Sequence, residues 1–146
     1  MQIIRTIESS MTHGAAWDVR ILLLSHEGEQ GMTARRLANL GGKVDVVDEL
    51  FRALSEVIDD PAGYRLLVID CDSGGVGGLA AAQRAVQMLD QPLKRIPVIL
   101  ISHECREQQF PDDRTRPLVL RAPLSAVAIK VALDHAFPER SIPEGA

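Results

Sequence analysis

Two stretches constrain this chain most: "YRLLVID" (64–70) and "IPVILIS" (96–102). Their apolar residues run on without alternation. A strand with one wet face alternates, so a continuous run marks a strand covered on both sides, as in a parallel sheet. Three shorter runs share the spacing: "VRILLLS" (19–25), "KVDVV" (43–47) and "PLVLR" (117–121). Segments of helical period lie between them. "MTARRLANL" (32–40) stops at Gly41-Gly42. "DELFRALSEVI" (48–58) opens on Asp48 as N-cap and stops before Asp60-Pro61. "GLAAAQRAVQML" (78–89) is rich in Ala and Leu, and "SAVAIKVALDHAF" (125–137) opens on Ser125 and ends before Pro138. Alternating strands and helices predict an open, doubly wound α/β domain with right-handed crossovers.

One segment breaks the alternation. "HECREQQFPDDRTRP" (103–117) mixes charges with Pro111 and Pro117, so a short or irregular element is expected there. Residues 1–18 have weak periodicity and read as an N-terminal extension, and 138–146 as a tail. The 146 residues suit one domain, placed at 19–137. Such a chain buries roughly 70% of its unfolded surface. Aromatics are only 3%, so Leu, Ile, Val and Ala must fill the core.

The net charge of −4 argues against a nucleic-acid partner, which needs a basic footprint. No apolar run approaches the roughly 18 residues of a membrane span, and the N-terminus lacks an apolar signal core, so no membrane role and a cytoplasmic location are expected. Cys71 and Cys105 are too few for a disulfide framework.

Ligands of open parallel sheets bind beyond the carboxyl ends of the strands. The residues there are Ser25, His26 and Glu27; Asp70, Cys71 and Asp72; Ser102 and His103; and Arg121, Ala122 and Pro123. With "VRILLLSHE", "GGKVDVVDELFRAL", "YRLLVIDCDSGGVGG", "IPVILIS" and "LRAPLS" in that order, the sequence resembles the receiver domain of two-component response regulators over about residues 19–137. The resemblance implies a flavodoxin-like (βα)5 three-layer sandwich with a five-stranded parallel sheet, its fourth helix region short or irregular here. It implies Asp70 as phosphoacceptor, Ser102 as phosphoryl contact, and a carbonyl near Asp72 as Mg²⁺ ligand. Gly78 matches the closing glycine of the loop, with Ser73-Gly74 in place of the usual Met-Pro.

The departures matter as much. The two acids that hold Mg²⁺ after the first strand are Ser25 and His26, and imidazole is a poor ligand for a hard cation. Glu27, Asp70 and Asp72 are left as a weak metal set. The paired lysine is Ala122, with Arg121 expected to point to the other side, and the aromatic switch position is Val119. Phosphoryl transfer rests on positioning and charge neutralisation, which these changes weaken. Asp70 is then either an acceptor in an impaired site or a leftover carboxylate in a phosphorylation-independent module. Both readings imply a non-enzymatic signalling protein. Its partner would be a sensor histidine kinase or another signalling protein, with output through that partner. An exposed Ala/Val stripe on the last helix would allow a homodimer through the last strand and helix.

Other chemistries have weaker support in the sequence. Gly75-Val76-Gly77-Gly78-Leu79-Ala80 fits G-x-G-x-x-G/A, giving a nucleotide-binding alternative on Gly75–Gly78. However, four residues separate it from Asp70, it follows the third strand, and the downstream acid at the needed distance, Asp90, lies in a loop before Pro92. His26, His103, Cys71 and Cys105 share a rim but lack zinc spacing. A redox role for the cysteines has no support in the sequence. Ser102 lacks a nucleophile elbow. "FPDDRTRP" reads as a solvated loop or a partner surface.

Overall fold

Five strands form one all-parallel sheet: β1 (Val19–Leu24), β2 (Gly42–Val47), β3 (Leu66–Asp70), β4 (Val98–Ser102) and β5 (Leu118–Arg121), in the order β2-β1-β3-β4-β5. The computed structural model describes residues 19–59, 63–88, 96–113 and 116–138. The extension 1–18, the tail beyond Pro138, Asp60-Pro61 and Asp90 lie outside the described residues. Four helices cover the sheet: α1 (Met32–Asn39), α2 (Leu50–Asp59), α3 (Leu79–Met88) and α4 (Ala126–Ala136). A short 3-10 turn, Gly28–Gln30, precedes α1. The flavodoxin-like α/β fold expected from the sequence is the one found.

The strands are in simple register, with Leu23 beside Val68, Val68 beside Ile99, and Leu100 beside Val119. Alternate residues then feed two cores. Ile21, Leu23, Val68, Ile99 and Leu120 pack against Leu37 of α1 and Ile129 and Leu133 of α4. Leu22, Leu24, Leu67, Ile69 and Leu100 pack against Leu54 of α2 and Val86 of α3. Both faces are dry, which is why the β3 and β4 runs show no alternation.

Helix ends follow local chemistry. Gly41, at φ +99°, turns the chain out of α1. Ser125 caps α4, its hydroxyl accepting from the Ala128 amide at 3.0 Å. The expected Asp48 cap of α2 is corrected to Glu49. The Glu49 carboxylate accepts from the Phe51 and Arg52 amides, both at 3.0 Å. Its longer side chain bends back over the first turn and meets two unpaired amides at once.

Among the described residues no helix joins β4 to β5. The linking segment instead closes the open edge of β5. Gln109 and Val119 exchange two backbone hydrogen bonds, at 2.9 and 3.0 Å. The Gln108 side-chain oxygen accepts from the Arg121 amide at 3.1 Å. Phe110 sits edge-on to His135, with ring centroids 5.7 Å apart. An edge strand with paired amides is a poor template for aggregation. The last helix leaves Val127 and Val131, one turn apart, 73% and 48% exposed.

Candidate functional site

The strand ends meet at one rim, in a cleft of about 380 Å³ lined by His26, Asp70, Asp72, His103, Ala122 and Pro123 among others. Each side chain is placed by the turn that ends its strand. Ser25 is buried, its amide donating to the Val47 carbonyl at 2.9 Å and its hydroxyl accepting from the Glu27 amide at 3.2 Å. Its oxygen therefore braces the turn after β1. The Glu27 carboxylate lies over Gly31, where an added Cβ would meet Glu27 Oε1 at 2.8 Å.

Asp70 ends β3 partly buried. Loss of solvent pushes its carboxyl above the ordinary range. The Asp72 amide, donating to Asp70 Oδ1 at 3.1 Å, the Ser73 hydroxyl and nearby His26 offset part of that rise. Ser73 is itself buried and accepts from the His26 amide at 3.0 Å, with the His26 ring Nδ1 also at 3.0 Å. It ties the β1 turn to the β3 turn beneath Asp70.

Asp72 faces β4. Burial alone would raise its carboxyl, but its hydrogen bonds outweigh that and hold it below the ordinary range. The Ser102 hydroxyl donates to Oδ1 at 3.0 Å, the His103 amide to Oδ2 at 2.9 Å, and His103 Nδ1 lies 2.8 Å from Oδ1. The same pairing raises the His103 imidazole. Ser102 also accepts from the Glu104 amide at 3.0 Å, so its hydroxyl is committed to the turn after β4. Across the cleft the Ala122 amide donates to the Ser102 carbonyl at 3.1 Å, and Ala122 presents only a methyl. Arg121 turns away, its guanidinium donating to the Cys105 carbonyl at 3.2 Å and to the Arg106 carbonyl.

These donors do not fit Mg²⁺. The ion wants near-octahedral oxygen ligands. Here the positions after β1 supply a hydroxyl spent on a backbone amide and an imidazole. Both Asp72 oxygens are engaged by β4. Among the described residues no three His, Cys, Asp or Glu side chains gather as a metal-ligating group. Burial pushes the Cys71 thiol up to about 12, so it stays protonated at neutral pH. Cys105 is a buried free thiol.

The glycine loop closes around its own residues. The Ser73 amide donates to the Asp70 carbonyl and the Val76 amide to the Ser73 carbonyl, each at 3.1 Å, while the Val76 side chain enters the core. The Leu79 amide, which would face a phosphate in a nucleotide site, donates to Glu104 Oε1 at 3.0 Å. Gly78, at φ +98°, lets that carboxylate approach, since a Cβ there would lie 3.1 Å from Oε1.

Asp70, Asp72, Ser102, His26 and Ala122 thus converge as the sequence suggests. Sequence reasoning missed Ser73 and Glu104. Ser73 is a small polar residue in a glycine-rich loop, and only its burial distinguishes it. Glu104 lies 25 residues beyond Leu79, whose amide it caps, so no local pattern announces it. No protein-family model matches the chain, and no curated protein matches it.

Proposed function

We propose that this chain is an atypical, receiver-like signalling module that works by protein–protein contact, without phosphoryl transfer at Asp70. One observation carries the reading. Asp70 stands at the tip of the central strand in an open cleft whose other corners hold His26, His103 and Ala122, with no lysine or arginine among its described lining residues. Phosphoryl transfer to a carboxylate needs a nearby cation to neutralise the incoming charge. The cleft supplies carboxylates and two histidines, one already paired to Asp72. A fixed network around an accessible carboxylate suits recognition better than turnover. The exposed Val127 and Val131 offer a further contact surface, of the kind a homodimer would cover.

The test is amide NMR of the chain titrated with Mg²⁺ plus beryllofluoride, then with Mg²⁺ plus a small phosphoryl donor, each repeated on Asp70→Asn. The expected outcome is no specific response in either protein. Shifts centred on residues 25–27, 70–73 and 102–103 that Asp70→Asn abolishes would reinstate the phosphoacceptor. Saturable dinucleotide binding that survives Asp70→Asn would instead move the reading to the glycine loop.

A further inference from the structure

The face opposite α1 and α4 is covered by two helices, α2 and α3, and the irregular β4–β5 segment runs along its β5 edge. Two neighbouring grooves open there on either side of α3. The first, about 410 Å³, lies between α2 and α3 and is lined by Phe51, Leu54, Ile58, Ala81, Arg84 and Ala85 among others. Phe51 and Ile58 are 74% and 45% exposed and lie seven residues, two helical turns, apart on one stripe of α2. The second, about 500 Å³, lies between α3 and the segment beside β5, where Gln83, Arg84, Gln87, Gln109, Arg116 and Val119 line it among others. Arg84 borders both. Neither groove has an acidic side chain among its described lining residues, although the chain carries a net charge of −4. The acids of α2, Glu56 and Asp59, line neither. No ion pair among the described residues engages Arg84 or Arg116.

We propose that this face docks an amphipathic helix of another protein. Its apolar stripe would lie over Phe51 and Ile58, and acidic residues along one edge would meet Arg84 and Arg116. The geometry is that of a helix laid into a groove, with anchors spaced by whole turns. Charge selects the partner's sign. An apolar stripe alone would accept any amphipathic helix, but Arg84 at the border of both grooves, with Arg116 shared with the neighbouring pocket of Asp112 and Asp113, favours an acidic edge over a basic one. The inference rests on the reading of the chain as an interaction module and names the chemistry of the partner. It uses no atom of the Asp70 cleft.

The probe is an 18-residue helical peptide with leucines at i, i+4 and i+7 and glutamates along one edge, beside a twin with lysines in their place. Fluorescence anisotropy with the intact chain should show saturable binding of the glutamate peptide, about tenfold or more tighter than its twin. The preference should fade as salt rises towards 1 M. Phe51→Ser and Ile58→Ser should each weaken binding about tenfold, and the pair Arg84→Glu and Arg116→Glu should reverse the preference. Both apolar positions are exposed, and an unchanged melting curve confirms that the variants fold. Equal binding of the two peptides, or no saturable binding up to about 1 mM, would overturn the proposal. So would a wild-type dimer in sedimentation that Phe51→Ser splits, because a second copy would then own the face. Such failures leave the Asp70 titration unaffected, so the surface and the module reading fall separately.

Discussion

Asp70 and Asp72 are two residues apart, yet their surroundings push them in opposite directions. Asp70 gains too little from its neighbours to offset lost solvent, so its ionised form is disfavoured in the folded chain. Its folded pKa is above the unfolded one, so stability falls as pH rises from the ordinary carboxylate value through the folded value, and the loss is complete above it. Asp70→Asn keeps an acceptor for the Asp72 amide and should raise Tm by about 1–3 °C at pH 7. The gain should vanish in melts below the ordinary carboxylate pKa, where both states are protonated. Asp72 is the reverse case. Its folded pKa is depressed, so its contribution is present above the ordinary carboxylate value and lost as pH falls through the folded value. The His103 imidazole is raised, so its contribution is full below the ordinary imidazole value and lost as pH rises through the folded one. The Tm difference between wild type and His103→Ala should therefore be widest in the mildly acidic window between those limits and close on either side. Salt should shrink it, because the ring is exposed. The acids were legible from their place after a buried strand. Their opposite environments were not, because Ser102 and His103 reach Asp72 from the end of β4 and His26 reaches Asp70 from the turn after β1.

At the scale of elements, strands and helices were largely readable because their signals are local. Continuous apolar runs, a period near 3.6 and a Ser or Gly at each end need no knowledge of the rest of the chain. Where the signal came from elsewhere, the reading slipped. The start of α3 is held by Glu104 from the turn after β4. Glu104→Ala should cost about 1 kcal/mol, as loss of a helix cap does, and amide exchange should quicken at the first turn of α3. Prolines and mixed charges told that 103–117 would not be a regular helix. They did not tell that Arg121 and Gln109 would fasten it to β5. Arg121→Met leaves the Cys105 and Arg106 carbonyls without that donor. It should cost about 1–2 kcal/mol and make 105–110 the first site of limited proteolysis.

Over the whole molecule, the apolar residues that hold the fold and those left exposed lie in different places. Leu67 is fully buried in the central strand, so Leu67→Ala should cost about 2–5 kcal/mol in denaturant unfolding. Phe51→Ser, on an exposed flank, should stay within about 0.5 kcal/mol of wild type. The comparison separates an apolar residue that holds the fold from one available to a partner. A flavodoxin-like order of strands and helices and the place of Asp70 at a strand tip were determined by the sequence alone. Both follow from hydrophobic period and strand spacing, which act within a few residues and survive in any one-dimensional reading. Tertiary structure alone decided that the donors around Asp70 are spent on one another, that Glu104 takes the Leu79 amide, and that two grooves sharing Arg84 flank α3. Those outcomes depend on residues tens of positions apart meeting within about 3 Å, at hydrogen-bond range. No spacing in the chain encodes such a meeting until the sheet brings its strand ends together.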